Sequence, residues 1–304
     1  MAPSVLEILS NEFAAAADRI GPSVVAVDAR RRITSSGIQW HKGVIVTASH
    51  GIHRDEGLNV LVGPGKSIPA TLAGRDPSTD LAILKLSNDH ALPLPDLAET
   101  SNLKLANLVL AFGRSWRGHL VASAGIVGGL SGEWRTWRGG RVDQHIRLDL
   151  ELYPGFSGGP LVNAQGKILG LNTGGTARGR AVTIPASTVN RVVDELLEKG
   201  HIARPYLGLA MQPVALPEGL RSKLRSGATT GLLVAHVEQA GPADNAGILL
   251  GDILVELRGQ PLEGTENVQQ VLASARVGDR VPLVLLRGGS PLVLTITLGD
   301  RPMR

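Results

Sequence analysis

Short β-branched and aliphatic runs dominate the chain from Ser23 onward: SVVAVDA, GVIVTAS, NVLVG, LAILKL, LVLAFG, ASAGIV, HIRLDL, PLVN, KILGLN and AVTIP. Turn residues separate them and none reaches helical length. The spacing therefore predicts many short strands without intervening helices, a barrel or sandwich that ends near Pro185. Two stretches break this texture with a helical period. Residues 4–20, SVLEILSNEFAAAADRI, place Leu6, Leu9, Phe13 and Ile20 near one face and stop at Gly21-Pro22. Residues 187–199, STVNRVVDELLEK, carry a stripe of Val189, Val192, Val193, Leu196 and Leu197, with Ser187 as cap and Gly200 as stop. Beyond that helix a smaller block runs from about Pro205 to Asp300, with strands GLLVAHV, ILVELRG, VPLVLLR and LVLTITL and one helix over 267–275. No block is duplicated. The pattern divides the 304 residues into an N-terminal helical segment 1–20, a β domain 21–186, a linker helix 187–203 and a second domain 204–304.

Composition narrows the chemistry. Apolar residues make up 43% and charged residues 19%, enough for ordinary cores, while aromatics are only 3%, so those cores must be aliphatic. The 38 glycines suit a β fold with many tight turns. The absence of cysteine removes disulfides, thiol catalysis and thiolate metal sites, and leaves the compartment open. The first twenty residues contain Glu7, Glu12 and Asp18 and lack a basic start followed by an apolar run, so they predict no signal peptide. Nothing approaches the length of a transmembrane helix. The net charge of +4 is concentrated: residues 114–147 hold six arginines against Glu133 and Asp143. No nucleic-acid-binding module accompanies that basic stretch, so it predicts no nucleic-acid partner. No metal cluster, nucleotide loop or cofactor motif is present in the sequence.

The segment GFSGGP, residues 155–160, places a serine in a glycine-flanked turn. Such a turn lets the N–H groups of Ser157 and Gly155 converge on one hole, which an acyl-transfer nucleophile needs. Of eight histidines, His50 in VTASHGI follows an apolar strand, with His53 as the nearest rival. Asp80 in DPSTDLAILKL stands at the head of a strand, where a buried carboxylate can orient an imidazole; Asp76, before Pro77, is the alternative and reads better as a turn residue.

The order His, Asp, Ser, with strings TASH, TDLAILKL and GFSGGPLVN, resembles the trypsin-like HtrA/Deg peptidase family. GPSVVAV (21–27), AGIV (124–127), NAQGKILGLN (163–172) and AVTIP (181–185) look like its framework strands. YLGL (206–209) and GPADNAGILLGDILVELRGQPL (241–262) resemble a PDZ module. The resemblance implies a mainly β fold, a chymotrypsin-like double β-barrel followed by a PDZ domain. It implies a catalytic triad of His50, Asp80 and Ser157 and an oxyanion hole from Gly155 and Ser157. It also implies a primary substrate pocket shaped by Leu152 and Leu171, and N–H groups of Leu207, Gly208 and Leu209 that take a peptide carboxylate. Alternation in RLDLEL places Leu148, Leu150 and Leu152 on one face and turns Glu151 away from that pocket. Phe156, TAS before His50 and GRSWRG (113–118) depart from the family's usual residues.

The function these features imply is ATP-independent serine endopeptidase activity on unfolded or misfolded proteins, with PDZ-based peptide binding or regulation. The partners would be unfolded chains, peptide C termini and, through helix 4–20, two further copies in a homotrimer. The alternative is a catalytically degenerate, chaperone-like peptide binder on the same fold. The segment SGEWRTWRGGR, 131–141, interleaves Trp134 and Trp137 with Arg135, Arg138 and Arg141. It is expected to contact the second domain, a neighbouring subunit or an acidic ligand, and so to bias the oxyanion turn at 153–157.

Overall fold

The computed structural model describes residues 3–29, 34–87, 92–175, 181–224 and 228–301. The chain divides into two compact units, Met1–Ile202 and Ala203–Arg304.

In the first unit, β1 (Val24–Asp28), β2 (Ser35–His41), β3 (Val44–Ala48), β4 (Leu58–Gly63), β5 (Lys66–Asp76) and β6 (Leu81–Leu86) form a closed antiparallel barrel in the order β1-β2-β3-β6-β5-β4. A second closed barrel has the order β11-β14-β13-β12-β7-β8, from β7 (Leu108–Arg114), β8 (Leu120–Ser131), β11 (His145–Asp149), β12 (Pro160–Asn163), β13 (Ile168–Thr173) and β14 (Val182–Pro185). A small hairpin, β9 (Trp134–Arg135) with β10 (Arg141–Val142), rises between β8 and β11. The sequence strings account for all six strands of the second barrel and four of the first. The two they pass over are β2, which opens on polar SSG, and β5, where proline, glycine and arginine interrupt the apolar positions.

The runs of β1, β3, β7, β12, β13 and β14 are nearly continuous in hydrophobicity because both faces of these strands are buried, whereas β11 alternates. Val25 and Val27 of β1, Ile45 of β3 and Leu84 of β6 fill the first barrel. Val109 and Ala111 of β7, with Ile146, Leu148 and Leu161, fill the second. The alternate residues on these strands, Val24, Val46, Ile83, Leu110 and Phe112, meet in a shared cluster between the barrels.

Both helices of this unit pack into that shared cluster. α1 (Val5–Ile20) is capped by the Ser4 hydroxyl, which accepts Glu7 N–H at 3.2 Å. Its buried face is Ala16 and Ile20 with Phe13 and Ala17, whereas Leu6 is 78% exposed, so only the C-terminal half docks. α2 (Ala186–Lys199) begins one residue earlier than the pattern predicts. Its N-cap is Pro185, so Ser187 lies inside the first turn and caps nothing. Val189, Val192, Val193 and Leu196 are buried as the stripe predicts, and Gly200 closes the helix at φ 75°.

The second unit is a sheet in the order β16-β17-β18-β20-β21, from β16 (Leu209–Ala215), β17 (Thr230–Val237), β18 (Ile253–Leu257), β20 (Arg280–Arg287) and β21 (Ser290–Thr297). Short β15 (Pro205–Tyr206) pairs with β22 (Gly299–Asp300), and β19 (Gln260–Pro261) extends β18. Among the described residues, three helices complete it: α3 (Glu218–Arg221), α4 (Pro242–Asn245) and α5 (Thr265–Ala273). α5 starts two residues before the predicted 267 because the Asn267 side chain accepts Gly264 N–H at 2.9 Å and fixes the entry. Buried Asp252 holds the hairpin region together through Arg287, whose guanidinium donates to Oδ1 at 2.9 Å and Oδ2 at 2.7 Å. Burial opposes ionisation of Asp252, but the Arg287 hydrogen bonds and Leu249 N–H outweigh it and hold the carboxyl below its ordinary value.

Candidate active site

β3 ends at Ala48 and runs into a 3-10 turn, Ser49–Gly51, which carries His50. Asp80 lies on the tight turn between β5 and β6. β6 pairs directly with β3 in the same barrel, so the turns meet: Ser49 N–H donates to Asp80 O at 2.9 Å. The Asp80 carboxylate, nearly fully buried, accepts His50 N–H on Oδ1 at 2.8 Å. His50 Nδ1 lies 2.7 Å from Asp80 Oδ2, which also accepts the Thr173 hydroxyl. Gly175 covers this pair closely. A Cβ there would stand 2.6 Å from Asp80 Oδ2 and 2.8 Å from His50 Nδ1, so the position tolerates only glycine.

The two alternatives separate cleanly. His53 is exposed, and its Nε2 reaches the His50 carbonyl at 3.0 Å. Asp76 turns its carboxylate onto its own loop, accepting Ser78 N–H at 3.0 Å, Ser78 Oγ at 2.7 Å and Thr79 Oγ1 at 2.8 Å. It therefore builds the turn on which Asp80 sits. Asp80 itself has φ 62°, a conformation L-residues rarely adopt.

Ser157 comes from the second barrel, on the turn between β11 and β12. Gly155 and Gly158 take φ 96° and 90°. The turn is pressed onto the first barrel: a Cβ on Gly158 would lie 2.1 Å from Ser36 O and 2.8 Å from Ala48 N, two residues before His50. Ser36 at the head of β2 accounts for much of this fit. Its N–H donates to Ser157 O at 3.0 Å, and its hydroxyl donates to Gly155 O at 2.6 Å while accepting Arg114 N–H at 2.9 Å. Phe156 is buried inside the second barrel and its N–H bonds Tyr153 O at 3.0 Å. The N–H groups of Gly155 and Ser157 make no hydrogen bond among the described residues.

Arg114 is 8% exposed and donates to Val24 O, Gly118 O and Gly21 O, each at 2.6 Å. Burial pulls its guanidinium down from the ordinary value. It lines a cleft of about 300 Å³ with Gly155, Thr34, Trp116, Val121, Tyr153 and Phe156. Leu152 and Leu171 do not share such a site. Leu152 is half-buried against the interior of the second barrel, and Leu171 is wholly buried in the cluster between the barrels with Ile184 and Val189. Glu151 is exposed.

In the second unit, Leu207 is buried, Gly208 has φ 75°, and Leu209 opens β16. The loop is fixed by its carbonyls: Gly208 O accepts Glu238 N–H and Leu207 O accepts Ala243 N–H, both at 2.9 Å. The N–H groups of Leu207 and Gly208 make no hydrogen bond among the described residues. β16 is an edge strand. Leu209 and Met211 on it, and Leu272 on α5, are half-buried against the core of this unit.

Sequence reasoning passes over Ser36, Thr173, Gly175 and the Trp116 cleft. Ser36 lies in a strand with no apolar signature at its head, and the unusual GRSWRG string is the one available signal for the cleft.

Known proteins share this architecture. The trypsin-like peptidase domain family matches residues 35–171, and the PDZ domain family matches residues 205–298. The chain is similar to the serine protease Do-like HtrA of Lactobacillus helveticus, 34% identical over 84% of this chain and 65% of that protein. It is 31% identical to the protein of the same description from Bacillus subtilis, over 86% of this chain and 61% of that one. The chain thus spans less than two thirds of the length of these curated relatives. Among solved structures, a serine endoprotease from Yersinia pestis superposes with a TM-score of 0.70 at 28% identity, covering 99% of this chain and 100% of that one. The HtrA-type protease AlgW with decapeptide gives 0.69 at 25% identity, covering 96% and 99%. Two six-stranded β-barrels followed by a PDZ domain, together with these similarities, place the chain in the HtrA/DegP-like family of trypsin-like serine proteases.

Proposed function

We propose that the chain is a serine endopeptidase that hydrolyses unfolded or misfolded polypeptides without ATP, with His50, Asp80 and Ser157 as its triad. The observation that carries this reading is the 2.7 Å contact between His50 Nδ1 and a buried Asp80 carboxylate, with the Ser157 turn pressed against the strand that leads to His50. Asp80 holds the imidazole so that Nε2 is the basic nitrogen and stabilises the imidazolium that forms. Ser157 Oγ attacks the scissile carbonyl as its proton passes to Nε2. The oxyanion develops against Gly155 and Ser157 N–H, which have no competing partner among the described residues. His50 then returns the proton to the leaving amine, and water repeats the sequence to release the acyl group. The cleft lined by Trp116, Val121 and Tyr153 offers an apolar surface to substrate beside the oxyanion turn.

In the second unit, the N–H groups of Leu207 and Gly208, with Leu209 beginning a free sheet edge, suit capture of a peptide's C-terminal carboxylate and pairing of its backbone with β16. Removing residues 204–304 is expected to leave a folded protease unit that handles long substrates less well. A peptide engaged by the PDZ unit should lose affinity when its carboxylate is amidated; equal affinity would exclude carboxylate capture. For the endopeptidase reading, hydrolysis of casein by the wild-type chain and its loss in Ser157→Ala is the expected pair of results. Equal hydrolysis by both would place the activity elsewhere.

A further inference from the structure

The arginine- and tryptophan-rich segment of the sequence folds as hairpin β9–β10, and within its unit it grips the acid side of the site. Thr136 at its tip is 4% exposed. Its hydroxyl donates to Ser78 O at 2.5 Å and accepts Gly140 N–H at 3.1 Å. Ser78 stands two residues before Asp80. The hairpin backbone is pressed onto the same carbonyl, since a Cβ on Gly140 would lie 2.4 Å from Ser78 O.

A second chain of contacts reaches Asp80 through Gly175 and Thr173. Trp137 Nε1–H donates to Gly175 O at 3.1 Å, and Gly175 N–H donates to the Thr173 hydroxyl at 2.9 Å. That hydroxyl is the one that donates to Asp80 Oδ2. Trp137 is 59% exposed, and the Arg138 guanidinium lies over its ring at 4.6 Å. Half-buried Trp134 packs edge-on against His145 at 5.0 Å and anchors the base of the hairpin on the core. The hairpin therefore holds both structures that present the Asp80 carboxylate: the 76–80 turn and the end of β13. A non-glycine residue at φ 62° persists when its surroundings over-determine it, and these contacts supply that determination.

We propose that Thr136 is a positioning residue for the Asp80–His50 pair, acting through the Ser78 carbonyl, and that hairpin β9–β10 buttresses the acid side of the site. This inference rests on the serine-endopeptidase reading. It replaces the expected action on the oxyanion turn with one on the acid.

Thr136→Val keeps the shape and removes the hydroxyl, and Thr136→Ser keeps the hydroxyl. The experiment compares them with wild type in the full chain, measuring kcat and KM on a fluorogenic peptide and the rate of fluorophosphonate labelling at Ser157. The expected result is a fall of about 10-fold in kcat and in labelling rate for Thr136→Val, with KM nearly unchanged, the upper end of what one neutral hydrogen bond contributes. Thr136→Ser should recover most of that loss. If Thr136→Val does not fold, Trp137→Phe decides the matter; it removes one exposed indole N–H and should lower kcat about 2-fold to 5-fold at an unchanged melting temperature. Wild-type kcat and labelling in Thr136→Val, a change in KM alone, or no recovery in Thr136→Ser would overturn the proposal; so would wild-type kcat in Trp137→Phe where that variant decides. A wild-type chain that is not labelled at Ser157 would remove the endopeptidase reading and this inference with it, an outcome distinct from labelled wild type with unchanged variants.

Discussion

Around the proposed acid, four hydrogen bonds from Ser78 and Thr79 to the Asp76 carboxylate knit a buried turn; around the proposed nucleophile, the 155–158 turn combines two left-handed glycines and backbone bonds with one buried side-chain hydroxyl, Ser36. The acid turn is closed within its own barrel and needs the second barrel only at its rim, through Thr173, Gly175 and the β9–β10 hairpin. The turn of the proposed nucleophile is held from both barrels: Gly158 N–H donates to Asn172 O and Asn172 N–H to Gly159 O on its own side, and the head of β2 clamps it from the other. A side chain whose position must be invariant is thus set in a side-chain network. The turn that presents bare N–H groups is shaped by backbone contacts and glycine, because Gly155 and Gly158 take positive φ and a side chain on Gly158 would strike the backbone of β2 and β3.

Mutations that break each side in turn test this contrast. The largest effect is expected at the reacting atoms. Ser157→Ala and His50→Ala should each lower kcat/KM on casein-derived peptides by about 10⁴-fold or more, while His53→Ala stays near wild type. Next comes the external clamp on the nucleophile turn. Ser36→Ala leaves Gly155 O and Arg114 N–H without their shared partner and should lower kcat by about 10-fold to 100-fold. Binding of a transition-state-like peptide boronate should weaken in parallel, and binding of a product peptide should not. If Ser36→Ala binds the boronate as wild type does, the clamp has no role in oxyanion stabilisation. On the better-knit acid side, Thr173→Val should cost about 10-fold in kcat, less than the nucleophile-side change, because backbone and turn contacts still hold Asp80. A larger loss there would reverse the ranking of the two sides.

The smallest effect on catalysis is expected from a buried carboxylate of the other unit. Asp252→Asn removes the Arg287 partner and should leave peptide hydrolysis near wild type while lowering the melting temperature of the PDZ unit. The pH dependence follows from the direction of its ionisation. Its folded value is depressed, so its stabilisation is complete above the ordinary carboxylate range and is lost as pH falls through the folded value. Melting curves of the isolated PDZ unit should show that acid-side loss in wild type and a smaller one in Asp252→Asn. Parallel curves would show that the ion pair does not govern acid stability.

Much of this was legible in the sequence, and the gaps have physical causes. All six strands of the second barrel are readable: β7, β12, β13 and β14 are apolar runs buried on nearly every residue, β11 alternates, and β8 carries the short apolar run AGIV. β2 and β5 escaped notice because β2 spends its first residues on contacts to the nucleophile turn, and β5 carries polar residues and Pro69. In the candidate site, His50, Asp80 and Ser157 stand out because each sits beside a readable strand. Ser36, Thr173, Gly175 and Thr136 act through single hydrogen bonds or close approach, and no periodicity marks such roles. The placement of Leu171 shows the same limit: β13 is buried on both faces, so alternation does not tell which of its side chains meets a substrate and which meets the core. The tryptophan–arginine segment was recognisable as unusual, but its partner, the 76–80 turn, is 58 residues away at the Thr136–Ser78 contact.

The most direct test of the account is the rate at which a fluorophosphonate modifies the chain, read by intact mass and peptide mapping in wild type, Ser157→Ala and His50→Ala. The account predicts one adduct on Ser157 in wild type, none in Ser157→Ala, and labelling slowed by about 10³-fold or more in His50→Ala. Modification at another residue, or a His50→Ala chain labelled as fast as wild type, would contradict it.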